Sequence, residues 1–124
     1  MFKDKTSSAT VAVKDLGRAR AFYAETLGLV PDGDMDGVLG FKTGETRLIV
    51  YPSALAGTNR ANAVVWDAGA DFDAIHAELK EKGVVFEEYL DMGMEVRDGV
   101  HRQGDFKAAW FKDPDGNILH FNNM

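Results

Sequence analysis

The groups through which this chain could do chemistry crowd into its C-terminal half, where all three histidines lie. His120 is the sharpest candidate. Strand alternation across Ile118-Leu119-His120-Phe121-Asn122 puts Ile118, His120 and Asn122 on one face and Leu119 and Phe121 on the other. An imidazole beside a carboxamide can orient a bound molecule or move a proton, although a core histidine bonded to a backbone carbonyl leaves the same trace in sequence. Trp110, on the preceding strand, can stack on a flat or cationic ligand with Trp66 or Phe111 near it, or serve packing alone. Alternation leaves open whether Trp110 or Phe111 faces inward.

His101 and Arg102 fall in the Gly- and charge-rich stretch 90–105, which reads as a solvated hairpin or loop and could act as a lid. Met92 and Met94, around Gly93, are either adaptable lid contacts or hairpin packing, and His76, on a helix flank, is expected at the surface. Asp113 and Asp115 make a carboxylate pair, yet Asp-Pro-Asp-Gly is the chemistry of a tight turn, and both are assigned to that. The phosphate loop GxxxxGK[ST], the nucleophile elbow GxSxG and the zinc helix HExxH are absent.

These residues are positioned by a pattern that runs twice. Ala9, Val11 and Val13 alternate with smaller or more polar neighbours as a half-buried strand, with Ser8, Thr10 and Ala12 on its other face. Asp15 stands where an N-cap belongs, Leu16, Ala19, Phe22, Tyr23 and Leu27 follow at helical spacing, and Gly28 ends the helix. Short strands near Val38 to Lys42 and Arg47 to Tyr51 flank the turn Thr43-Gly44-Glu45-Thr46. After a linker at 53–61 the order repeats: a strand from Ala63 to Trp66, a helix from the cap candidate Asp71 to Gly83, and strands at Val84 to Tyr89, Phe106 to Lys112 and Asn117 to Asn122.

Asp15 and Asp71 are 56 residues apart, and Phe41-Lys42 and Phe111-Lys112 are 70 apart, so the second copy carries the longer loop. The reading is a degenerate tandem repeat of βαβββ modules, at about 7–52 and 62–123, within one domain spanning 1–124. Neither half can bury both faces of its own sheet. The expected α+β fold is therefore a curved mixed sheet around a cavity, with the helices outside, completed within one chain or across a dimer.

Composition narrows the function classes. With 124 residues, 45% hydrophobic and 27% charged, the chain suits one globular domain, and its lack of cysteine excludes a disulfide framework, a thiolate metal site and a cysteine nucleophile. A net charge of -6, with +1 on residues 1–62 and -7 on 63–124, argues against nucleic acid and favours cations at any groove in the second half. The start MFKDKTSSAT holds no apolar run and no stretch reaches the length of a membrane span, so a cytoplasmic address without membrane contact is expected.

Three segments, VAVKDLGRARAFYAETLGL (11–29), AGTNRANAVVWDAGADFDAIHAELKEKGVVFE (56–87) and KAAWFKDPDGNILHF (107–121), together resemble the vicinal oxygen chelate superfamily, which includes glyoxalase I, extradiol dioxygenases, and bleomycin and fosfomycin resistance proteins. The resemblance implies paired βαβββ modules, a cavity in a curved sheet and frequent homodimers. It also implies four positions where the enzymes hold a divalent metal with His and Glu. Matched here, they are Ser8, Val50, Ala63 (or Asn62, if the register slips by one) and His120, with Val50 and His120 equated through the 70-residue offset.

Alkyl side chains cannot ligate a metal, a serine hydroxyl is a poor ligand, and one imidazole does not make a site, so neither a metal nor any other cofactor is expected. The resulting expectation is a metal-free protein that binds a small, aromatic or cationic molecule in a cavity lined by Ser8, Thr10, Val50, Ala63, Trp110, Ile118, His120 and Asn122. The alternative is a metal-independent lyase or isomerase with His120 as acid or base, for which Arg47, Arg102 or Lys107 would have to polarise the substrate. An interaction module whose cavity is filled by its own side chains is a third reading.

Overall fold

A computed structural model of the chain describes residues 1–34 and 37–124, which divide into two compact units, Met1–Thr58 and Asn59–Met124. In the first, β1 (Ala9–Val13) leads into α1 (Leu16–Ala21), followed by β2 (Val30–Pro31), β3 (Leu39–Thr43) and β4 (Thr46–Pro52). The strand order is β1-β4-β3-β2, with β1 parallel to β4 and the other pairs antiparallel. Asp15 starts the helix as expected, its carboxylate accepting the Arg18 N–H at 3.0 Å. The helix then widens into a π-helical turn, Phe22–Thr26, before Gly28 reverses the chain with φ at +71°.

Parallel partners share a sheet face, so the pairs Ala9 with Leu48 and Val11 with Val50 define the side that α1 covers. Val11, Val13, Leu48, Val50, Phe41 and Tyr23 are all buried there, with Tyr23 packed on Phe41 at 6.0 Å.

The second unit repeats the plan with an addition. β5 (Asn62–Asp67), a 3-10 turn (Gly69–Asp71), α2 (Phe72–Glu81), β6 (Glu95–Arg97), β7 (Val100–Gln103), β8 (Phe106–Lys112) and β9 (Ile118–Asn122) form a sheet ordered β5-β9-β8-β7-β6. Its helix-covered side is aromatic: Phe72 lies 4.9 Å from Phe121, and Phe86 and Phe111 complete the cluster. Two mixed sheets of four and five strands with two helices make an α+β fold of two tandem modules. Among the described residues no helix is long and apolar enough to cross a membrane.

Two local expectations need correction. The segment from Val84 to Tyr89 is not a strand; it holds a single bridge, Phe86 with Phe111, because the Tyr89 N–H is taken by the His101 ring instead of a neighbouring strand. Asp71 occupies the N-cap position of α2 but makes no capping bond. The stretch 90–105 is partly a real hairpin, β6 to β7, turning at Asp98-Gly99.

The register also corrects the site alignment. Phe41 pairs with Leu48, whereas Phe111 pairs with Leu119, so the Asp113–Asn117 connection carries one residue more than its counterpart in the first unit. Beyond the turn the offset is therefore 71, and the counterpart of His120 is Ile49, not Val50. Since one residue of slip exchanges faces, Val50 points into the helix-covered core.

Candidate functional site

The second unit gathers its chemistry on the sheet face opposite α2. Antiparallel pairing places Ala108 against Asn122, Trp110 against His120 and Lys112 against Ile118, and partners in such pairs share a face. Trp110 therefore takes the His120 side, and Phe111 goes to the aromatic core, which settles what alternation alone left open. The two rings stack with centroids 4.5 Å apart and planes 22° from parallel. Tyr89 and His101 meet the indole edge-on, at 5.5 Å and 4.8 Å, the geometry that aromatic quadrupoles favour.

Hydrogen bonds fix each ring. Trp110 donates its indole Nε1–H to Asn62 Oδ1 at 3.1 Å. His120 bonds Ala109 O through Nδ1 at 3.1 Å; the carbonyl can only accept, so the proton belongs on Nδ1 and Nε2 keeps its lone pair, 3.4 Å from the Asn122 carboxamide nitrogen. Burial holds the His120 pKa below the ordinary histidine value, opposed by the Ala109 hydrogen bond and the charge of Asp67 and aided by His101. A neutral acceptor at neutral pH is the outcome. Tyr89 is pushed up from its usual range, mainly by burial and then by Glu87, so its hydroxyl stays protonated.

Of the residues expected to line a cavity, Trp110, Ile118, His120 and Asn122 share this face. Ala63 does not join them: β5 bulges between Asn62 and Val64, and it is Asn62 that pairs with Ile118 on the His120 side. Ser8 and Thr10 are exposed in the first unit, where Thr10 pairs with Ile49. His101 is fully buried on β7, so it is no lid residue, while Arg102 next to it is exposed. His76 is not a surface group either; its ring stacks on Phe86 at 4.4 Å and Nε2 bonds Asp98 O at 2.9 Å.

Two suggested polarising groups are engaged elsewhere. Lys107 grips both carboxylate oxygens of Asp73 at 3.0 and 2.9 Å, and Arg47 lies across Gly40 to bond the Asp32 and Gly33 carbonyls. A Cβ at Gly40 would sit 2.2 Å from Arg47 Nη2, so glycine is what lets the guanidinium lie flat. Asp113 serves its turn, with Oδ1 accepting the Asp115 and Asn117 N–H groups, each at 2.9 Å. Tyr89 was not singled out in the sequence, because its partners come from strands whose register only the fold supplies.

With register corrected, the positions where related enzymes hold a metal carry a hydroxyl (Ser8), an alkyl group (Ile49), a carboxamide already accepting a hydrogen bond (Asn62) and one imidazole (His120). In neither unit does the pair of residues it contributes suit a tightly held divalent ion. Among the described residues no three His, Cys, Asp or Glu side chains come together as ligands.

No curated protein matches the chain. Solved structures do: TnmS3, an antibiotic binding protein from Streptomyces sp. CB03234, is 27% identical with a TM-score of 0.72 over 98% of this chain and 97% of its own. A glyoxalase/bleomycin resistance protein from the same Streptomyces strain is 28% identical with a TM-score of 0.65, over 93% and 96%. The fosfomycin resistance protein FosX from Mesorhizobium loti, at 15% identity and a TM-score of 0.71 over 100% and 94%, shares the fold. Residues 5–121 match the family described as the Glyoxalase/Bleomycin resistance protein/Dioxygenase superfamily, and the chain belongs to it.

Proposed function

We propose that this protein is a metal-free binder of small molecules, taking a flat, aromatic or cationic ligand against the second unit's sheet face opposite α2. The observation that carries the reading is the stack of Trp110 on His120, edged by Tyr89 and His101 and supplied with carboxamides at Asn62 and Asn122. Fixed aromatic surface with a few convergent polar atoms is what recognition of a planar molecule needs. The likeness to an antibiotic binding protein supports the same reading. We place the protein in the cytoplasm as a homodimer; light scattering that returned only the 13.6 kDa monomer would remove the second half of that statement.

The test is a thermal-shift screen over planar and cationic compounds, since a ligand of the folded state alone at about 100 times its Kd stabilises by roughly 2.7 kcal/mol. Hits should quench Trp110 fluorescence, return unchanged after incubation, and bind about tenfold more weakly to Trp110→Phe, which loses the indole and its bond to Asn62. Absence of any hit, or affinity untouched by Trp110→Phe, would defeat the reading. A second reading, a metal-independent lyase or isomerase, draws on the Nε2 lone pair of His120 as a base. Conversion of a hit that disappears in a folded His120→Gln variant would establish it; the engagement of Lys107 and Arg47 by their own acidic and carbonyl partners favours binding without conversion.

A further inference from the structure

We infer that His101 is a positioning residue for this face, a proton-sensitive latch that holds Tyr89 against Trp110. Its imidazole is fully buried, and both ring nitrogens are used by the backbone: Nε2 accepts the Tyr89 N–H at 2.9 Å, and Nδ1 donates to Gly99 O at 3.1 Å. Only the neutral ring with its proton on Nδ1 satisfies both bonds. A second proton turns Nε2 into a donor facing a donor, so the Tyr89 N–H loses its acceptor.

The neighbouring contacts make this a latch on one segment. The turn Asp98-Gly99 is braced by His76 at Asp98 O (2.9 Å), by Lys80 at the Asp98 carboxylate (2.6 Å) and by Glu88, which accepts the Gly99 N–H at 3.1 Å. Gly99, with φ at +76°, lies so close to Phe86 that an added Cβ would stand 2.3 Å from the Phe86 Cβ. The hairpin end of the His101 connection is thus fixed to α2 and the aromatic core. On the other side the segment is tied up to Glu87, whose N–H bonds Trp110 O at 2.8 Å, and beyond Tyr89 come Leu90 and Met92, both exposed. The ionisable groups around His101 are Glu88 and Tyr89 from the 84–94 segment, His120 beyond the indole on β9, and Asp98, with its partners Lys80 and His76, on the turn; β8 presents Ala108 and the Trp110 ring. When the ring gains its proton, the Tyr89 end opens and the Tyr89 ring leaves Trp110.

The inference concerns hydrogen bonds of the protein alone, so it stands or falls apart from the small-molecule reading. The experiment is NMR on the unliganded chain, following the His101 ring titration and the Tyr89 amide protection factor on one pH series. The Tyr89 protection should fall about tenfold in step with His101 protonation, as loss of one hydrogen bond implies, while β8 and β9 amides remain protected. His101→Gln, whose carboxamide can still accept and donate but cannot titrate, should keep Tyr89 protected at every pH. Protection of Tyr89 that ignores the His101 titration would overturn the latch. So would simultaneous opening of β8 and β9, or a His101→Gln variant that retains the wild-type pH dependence.

Discussion

The two units apply one βαβββ plan to opposite ends. On the side away from its helix the first unit presents Thr10, Ala12, Ile49 and Tyr51, with Arg47 laid over Gly40 and tied to carbonyls. The second presents Asn62, Trp110, His120, Asn122, His101 and Tyr89, a set of rings and carboxamides with an acceptor nitrogen among them. Their helix-covered cores, by contrast, are close relatives: Phe41 and Phe111 occupy the same place, as do Leu48 and Leu119. The duplicated scaffold keeps the face that packs on the helix and varies the opposite one, because packing constrains every core methylene on the helix-covered side.

The largest effect tests the shared cores. Phe41→Ala and Phe111→Ala each remove a fully buried ring and should each cost about 3–5 kcal/mol in chemical denaturation. A much cheaper Phe41→Ala would mean that the first core is not the counterpart of the second.

Next in size is the connection that makes the units differ in register. Asp113, itself buried, accepts two backbone N–H groups and the side-chain amide of the buried Asn117 at 2.8 Å, all within one turn. Asp113→Ala should cost about 2 kcal/mol, since it strands buried donors. The first unit closes the same hairpin through Thr43-Gly44-Glu45-Thr46, where Thr46 Oγ1 only grazes Thr43 O at 3.4 Å, so Thr46→Ala should cost less than about 0.5 kcal/mol.

Helix starts give the next contrast. Asp15 caps α1 by bonding the Arg18 N–H, and Asp15→Ala should cost about 1 kcal/mol; Asp71 stands at the same place before α2 without that bond, so Asp71→Ala should change stability by only about 0.3 kcal/mol. Equal costs would show that Asp71 supports α2 as much as Asp15 supports α1 despite lacking the capping bond.

This pair also marks what could be read before the fold was known. Residue type and spacing were enough to place the helices, the tandem order and the common face of Ile118, His120 and Asn122, because those follow from periods of 3.6 and 2. Register was not legible. A single extra residue in the Asp113–Asn117 connection exchanged Val50 for Ile49, and the bulge at Ala63 brought Asn62 to the indole. His101 and His76 looked like surface groups since a polar ring in a charged stretch carries no sign of the carbonyl that will bury it. Tyr89 escaped notice for a related reason: its backbone partner is a side chain twelve residues away.

The smallest expected effect isolates the second unit by its protons. All three histidines lie there, so any histidine-linked stability change between pH 7 and pH 5 belongs to it. His120 has its pKa lowered in the fold, which means that the unfolded chain binds the proton first as pH falls below the ordinary histidine value of 6.5. Its contribution is complete above that value and is lost as pH drops through the folded pKa, so stability should slope downward with acid in this window. His120→Gln should flatten the slope, and the Ala109 hydrogen bond, which works against the shift, keeps the effect small. The lowered carboxylates have the same sign but a separate window. Asp34 in the first unit and Asp73 and Asp98 in the second, held down by Arg20, Lys107 and Lys80, lose their contribution only as pH falls below 3.8. A fall in denaturation midpoint between pH 6.5 and 5 that is shallower in His120→Gln than in wild type would assign that part of the loss to this ring; slopes that coincide would deny it that role.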